Sequence, residues 1–191
     1  MRIPIHCAED NSWIKKGGEI LIADSQPQDF STWKKPAAVS VIIAPQRAED
    51  YVLLIVRPST MAEHAGQIAC PGGRYDADLD VSLCDTAIRE TQEEVGVILS
   101  PSRLITILNP VYIPVTGYTI APHVFRLDEI PTLIPSPEVV AFYWVSIDQL
   151  RGCEEMMAGW PQYPLSWGRV WGATARILHQ LLHLRESEGK I

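Results

Sequence analysis

Hydrophobic positions along this chain follow two rhythms, and the switches between them predict the order of elements. Residues 37–44 and 51–56 are apolar, β-branched runs separated by the turn-like stretch 45–50, which predicts a pair of strands. Further strands are expected over 103–109, 119–127 and 141–145, and a single helical turn over 147–150. Two stretches change to a period near 3.6. In the first, which ends at Gly96, Val81, Cys84, Ile88, Thr91 and Val95 share a face at about 100° per residue and are expected to turn toward the core. In the second, over 171–185, Trp171, Ala175, Leu178, Leu181, Leu182 and Arg185 recur at helical spacing. Strands interrupted by two well-separated helices imply an α/β domain.

Residues 1–36 mix Lys, Gly, Pro and Trp without clear periodicity. They read as an N-terminal extension packing on a domain that spans 37–191, with one strand near 19–23. No internal repeat or low-complexity segment interrupts that domain. At 191 residues and 47% hydrophobic, the chain is long enough to bury one sizeable core. It has no apolar run of about 18 residues, and its N-terminus lacks the apolar centre of a secretion signal, so a cytoplasmic protein without membrane association is expected. Cys7, Cys70, Cys84 and Cys153 are too scattered for a CxxC metal site and too few for a disulfide framework, which predicts reduced, structural thiols.

The net charge of −7 argues against a nucleic-acid partner, because phosphate backbones demand clustered Lys and Arg. A small polyphosphate remains compatible if bound cations and a few arginines supply local positive charge. Arg57, Arg74 and Arg126 lie in or beside the segments expected to border a cleft.

The candidate chemistry sits on the first helix, where Glu90, Glu93 and Glu94 stand at i, i+3 and i+4 and fall on one face. Like charges at that spacing repel, so something must offset the cost. A hard cation such as Mg²⁺ does so with a few carboxylates, water and substrate phosphate. Pro71-Gly72-Gly73 precedes the helix, where glycine lets the backbone approach a ligand closely; Arg89 can brace the carboxylates, and Gly96 suits a left-handed helix cap.

This combination resembles the Nudix box, whose pattern is Gly, five residues, Glu, seven residues, then Arg-Glu-apolar-x-Glu-Glu-x-Gly-apolar. Arg89, Glu90, Glu93, Glu94, Gly96 and Val97 match, with Thr91 at the first apolar position. The N-terminal half departs: the pattern's first glutamate falls on Val81, the nearest acid is Asp80, and Gly73 lies two residues too far from Arg89. The coenzyme A pyrophosphatase-like branch of the family uses a longer loop, and this chain is similar to it at Leu53, Leu54 and Arg57, at His64, Gly66, Gln67, Ile68, Pro71, Gly72 and Gly73, and again over 116–122, 136–139 and 170–175. Ala62 stands where that branch usually has arginine, Cys70 where it has phenylalanine, and the loop from Gly73 to Arg89 is one residue longer.

The resemblance covers roughly residues 37–184 and implies a mixed β-sheet sandwiched between α-helices. It implies hydrolysis of the pyrophosphate bond in a nucleoside diphosphate-linked small molecule, with coenzyme A or acyl-CoA as the leading substrate. Mg²⁺ or Mn²⁺ would be held by Glu90, Glu93, Glu94 and the Gly72 carbonyl, with Glu93 or Glu138 as proton acceptor and Arg89 in support. Arg57, His64, Gln67 and Arg74 are the expected substrate contacts. Two alternatives stay open: the same chemistry on ADP-ribose, a dinucleoside polyphosphate or a nucleoside triphosphate, and a Nudix-like domain that senses a nucleotide without cleaving it. Three metal-ligating glutamates argue against the pure sensor. A homodimer is left open. The aromatic, proline-bearing tract 159–172 could stack an adenine, cover a pantetheine arm or pack on the domain's flank.

Overall fold

A computed structural model describes residues 29–59 and 66–184. The expected strand at 19–23, His64, Ala62 and the last position of the second helix, Arg185, lie outside the described residues. In chain order the elements are β1 (Lys35–Gln46), β2 (Glu49–Val56), β3 (Ile68–Ala69), β4 (Gly72–Arg74), α1 (Leu83–Val95), β5 (Leu104–Ile107), β6 (Val111–Ile113), β7 (Tyr118–Arg126), β8 (Ala141–Ser146), α2 (Ile147–Cys153), β9 (Glu155–Met157), β10 (Trp160–Leu165), β11 (Gly168–Val170) and α3 (Gly172–Leu182).

The main sheet runs β3-β2-β1-β7-β5, with β4 added to β1, β6 to β7 and β8 to β2. β1 and β7 are parallel while the other pairings are antiparallel, so the sheet is mixed. Alternation along the central strands builds two cores. Val41 and Ile43 of β1, with Val52 and Leu54 of β2, join Leu150 of α2 and Ala175, Leu178 and Leu181 of α3 on one face. Ala38, Ile42, Leu53 and Ile55 join Leu83, Ala87 and Val95 of α1 on the other. The sheet is thus sandwiched between α1 and the α2/α3 pair, the architecture the sequence implies. Phe30 and Trp33, from the segment before β1, pack against the α1-side core.

Several boundaries differ from expectation for identifiable reasons. Residues 45–50 are not a loose turn: β1 and β2 continue to a tight connection at Arg47 and Ala48, with φ of 50° and 68°. Positive φ at both central residues is the backbone of a type I′ hairpin, usually signalled by Asn-Gly, and Arg-Ala carries no such signal. The single helical turn at 147–150 extends to Cys153, capped by the Ser146 side chain, which accepts from Gln149 N. The tract 159–172 contains β10 and β11, which with β9 form a small antiparallel sheet. Tyr163 and Leu165 enter the α3-side core, and Trp167 stacks on Tyr143 with ring centroids 3.7 Å apart. Most of the tract therefore packs on the flank.

Candidate active site

α1 begins at Ser82, whose side chain accepts from Asp85 N, and ends at Gly96, whose φ of 73° lets its N–H close on Gln92 O. This start places Val81 outside the helix and 91% exposed, so it is not a core residue. The buried stripe is instead Leu83, Thr86, Ala87, Thr91, Glu94 and Val95, with Cys84 and Ile88 half-buried at its edge. Thr91, standing at an apolar position of the motif, donates to Ser40 Oγ on β1 at 2.8 Å, and the Ser40 hydroxyl donates to Ala87 O at 2.9 Å. Its hydroxyl thus fastens α1 to the sheet.

The same rotation of the stripe corrects the picture of three carboxylates on one exposed face. Glu93 is exposed, Glu90 is partly buried, and Glu94 is only 2% exposed. Glu94 Oε2 accepts from Gly72 N at 2.9 Å, and its Oε1 lies 2.8 Å from Arg57 Nη1 as an ion pair without a well-directed hydrogen bond. Arg57 Nη2 donates to Gly72 O at 2.7 Å. The guanidinium expected to meet substrate is therefore engaged with Glu94 and the glycine loop.

That loop must be glycine. Gly72 has φ of 152°, and a Cβ there would lie 2.3 Å from Ala38 O of the adjacent strand. A Cβ on Gly73 would fall 2.3 Å from the Glu90 carboxylate and displace it. The chain thus passes directly beneath Glu90 and Glu94, with the Gly72 carbonyl held by Arg57.

Arg89 is the hub of the outer half. Its Nη1 donates to Glu90 Oε1 at 2.8 Å and to Glu93 Oε2 at 3.0 Å, while its Nη2 reaches Arg74 O at 3.2 Å. Asp80 grips the same guanidinium through both oxygens, at 2.9 and 3.0 Å, and also accepts from Thr86 Oγ1 at 2.8 Å and Asp76 N at 3.1 Å. Burial opposes the Asp80 charge, yet the Arg89, Asp76 and Thr86 bonds outweigh it and hold the carboxyl below the usual range. Counting along the sequence finds Asp80 one residue off the Nudix glutamate position, and the longer loop carries it back onto Arg89.

The far wall comes from the α1 C-terminus. Glu94 O and Val95 O accept from Ser136 N and Ile134 N at 2.9 and 2.8 Å, satisfying helix-end carbonyls and laying the segment around Glu138 against the site. Glu90, Glu93, Glu94, Glu138, Arg57, Gln67, Gly72 and Arg74 all line one cleft of about 1130 Å³. Cys70 also lines it, and burial pushes its thiol up to about 12, so it is chemically quiet. Trp171 is the aromatic residue of the 159–172 tract that reaches the cleft. Arg126 does not border it: it sits at the other end of β7, gripping Asp50 at 2.9 and 3.0 Å.

Near the cleft, the Arg74 guanidinium and Lys35 Nζ lie 5.2 and 5.1 Å from the Tyr118 ring centre. Lys35 was not singled out by sequence, because it precedes the predicted strand and only the β1–β7 register, which pairs it with Tyr118, brings it there.

Burial raises Glu90, against Arg89 and with Glu93 adding to the rise. It lifts Glu94 to about 7 in spite of Arg57 and the Gly72 N–H, and Glu90 and Glu138 push in the same direction. Glu94 Oε1, buried and accepting no directed hydrogen bond, and the partly buried Glu90 offer hard oxygen donors of the kind a divalent cation takes.

Comparison with known proteins identifies the family and supports the fold. The family model described as NUDIX domain matches residues 34–167. A Cronobacter sakazakii protein called "Uncharacterized Nudix hydrolase NudL" is 32% identical over 163 residues, covering 78% of this chain and 81% of its own length. An Escherichia coli protein of the same description is 34% identical over 164 residues, covering 77% and 81%. Among solved structures, the NUDIX domain of Shewanella oneidensis NrtR complexed with ADP ribose is similar with a TM-score of 0.58 at 18% identity, over 80% of this chain and 87% of that one. A MutT protein from Methanosarcina mazei Go1 gives 0.57 at 22% identity, over 82% and 96%. At those identities the solved structures speak to the fold alone.

Proposed function

Because the chain belongs to the Nudix hydrolase family, we propose that it cleaves the pyrophosphate bond of coenzyme A or an acyl-CoA, releasing 3′,5′-ADP and the (acyl) 4′-phosphopantetheine. The observation that carries this reading is the placement of Glu90 and Glu94 over the Gly72-Gly73 backbone, with Glu93 lining the same cleft, which is large enough for a nucleotide and an attached arm.

Glu90, Glu94, Glu93 and the Gly72 carbonyl would hold the Mg²⁺ or Mn²⁺. When bound, such an ion polarises phosphate oxygens and lowers the pKa of the attacking water. The chain's own residues do the positioning on which phosphoryl transfer depends. Arg57 fixes Glu94 against the loop, and Arg89, itself fixed by Asp80, orients Glu90 and Glu93. Both arginines are positioning residues. The proton from water passes to one of two exposed carboxylates at the cleft, Glu93 or Glu138. Arg74, which with Lys35 lies near the Tyr118 ring, supplies positive charge for the substrate's terminal phosphate, and Gln67 offers a polar contact from the cleft lining. Trp171 supports the apolar or ring portion of the ligand. His64, outside the described residues, is assigned to the substrate on the sequence resemblance alone.

The substrate assignment is tested by kcat/KM on coenzyme A, dephospho-coenzyme A and ADP-ribose. Coenzyme A is expected to be preferred over dephospho-coenzyme A, because groups built for the 3′-phosphate lose their partner without it. Equal constants for the two, or faster cleavage of ADP-ribose, would remove coenzyme A as the substrate and leave the hydrolase chemistry standing.

A further inference from the structure

Remote from the acidic cleft, the last turns of α3 and the end of α2 bring three side chains with different donor atoms together. We propose that Glu154, His179 and His183 form a second metal site, for a divalent transition metal of the Zn²⁺ class.

His179 and His183 are four residues apart, so α3 projects both imidazoles from one face. Their rings lie 4.4 Å apart, inclined at 48°. Each aims a different nitrogen at a different oxygen of one carboxylate: His179 Nδ1 is 2.9 Å from Glu154 Oε1, and His183 Nε2 is 2.9 Å from Glu154 Oε2. Glu154 comes from the residue that ends α2, so the trio joins two elements. Tyr163 of β10, fully buried, donates its hydroxyl to Glu154 Oε1 at 2.5 Å and sets the carboxylate's orientation, as outer-shell partners of metal ligands do.

The donor atoms all lie within 4.8 Å of one another. Ligands about 2.0–2.1 Å from a tetrahedral ion stand roughly 3.4 Å apart, so side-chain rotations of about 1 Å suffice to close around one. The side chains of His179 and His183 are 41% and 34% exposed, which gives an ion a route in and leaves room for water in the remaining positions. Two imidazole nitrogens and one carboxylate form a borderline-soft set, suited to Zn²⁺ and its neighbours and poorly suited to Mg²⁺. The oxygen-only cleft lies beside the opposite, N-terminal part of α3, where Trp171, Ala173 and Thr174 line it. The two sites therefore differ in place and in metal preference. An ion on the trio would tie α3 to the end of α2 and, through Tyr163, to β10.

The competing account is a hydrogen-bonded trio that takes no ion. Titration of the chelator-stripped full chain with Co²⁺ in excess Mg²⁺, read by visible d–d absorption, decides between them. The expected result is one Co²⁺ bound in imidazole-containing coordination and displaced by Zn²⁺. Glu94→Gln should leave it in place, and Glu154→Gln and His183→Ala should weaken it by at least about the 10–100-fold typical of outer-shell losses. Glu154→Gln keeps an acceptor for Tyr163 and so decides the matter if His183→Ala fails to fold. Zn²⁺ should also raise the melting temperature of the wild-type protein and not that of Glu154→Gln. Absence of such a spectrum, or equal binding by wild type and both trio variants, would overturn the site.

Discussion

At the scale of single residues, three neighbouring carboxylates on α1 occupy different environments: Glu93 is exposed, Glu90 partly buried and Glu94 only 2% exposed. The i, i+3 and i+4 spacing brings them to neighbouring positions, and Gly72 and Gly73 are required because only glycine lets a backbone run under side chains so closely. Which carboxylate is dry, and what Arg57 and Asp80 hold, depend on how the loops fold back. Glu94→Gln and Glu90→Gln should each lower turnover by orders of magnitude, and steady-state kinetics showing near wild-type kcat in either would remove it from the metal site. The two arginines should separate in the same assay. Arg57→Ala loosens Glu94 and is expected to depress kcat on every substrate alike. Arg74→Ala should mainly raise KM and narrow the preference for coenzyme A over dephospho-coenzyme A. The reverse pattern would exchange their roles.

At the scale of elements, α1 illustrates both the reach and the limit of periodicity. Its existence, its Gly96 cap and the core roles of Thr91 and Val95 follow from the pattern, yet the phase was displaced because Val81 precedes the Ser82 cap and the polar residues Thr86 and Glu94 belong to the buried stripe. Strands β9–β11 escaped notice because prolines and polar residues obscure alternation, and the Arg47-Ala48 hairpin because its residues are unusual for a type I′ turn. The corrected phase makes Leu83, 4% exposed, the better probe of scaffold than half-buried Ile88. Leu83→Ala should cost about 2–5 kcal/mol in denaturant unfolding while sparing activity per folded molecule. An unchanged midpoint would contradict the packing. On β7, His123 is 2% exposed with Nδ1 3.1 Å from Ala121 O, and burial holds its pKa below the ordinary 6.5, partly offset by that carbonyl. The unfolded chain therefore binds this proton first as pH falls. The stabilising contribution is complete above 6.5 and is lost progressively as pH drops through the lowered folded-state value. Urea midpoints compared between pH 7 and 5 should fall more steeply for wild type than for His123→Gln; parallel slopes would show that His123 is not the group responsible.

At the scale of the whole molecule, the mixed sheet between helices was legible because alternating strand runs and two amphipathic helices admit few arrangements, and the family pattern selects one. Each layer then places part of the site: β1 and β4 supply the floor, α1 the carboxylates, the segment after β7 Glu138, and the start of α3 the far lip. This assembly makes a claim about a reaction, and the most direct test is product identification by mass spectrometry. The purified full chain would be incubated with coenzyme A and Mg²⁺, before and after chelation with EDTA. The account predicts equal amounts of 3′,5′-ADP and 4′-phosphopantetheine, formed with Mg²⁺, absent after EDTA and restored by adding Mg²⁺ or Mn²⁺. Intact coenzyme A under all these conditions, or the same products at an unchanged rate after thorough chelation, would contradict it.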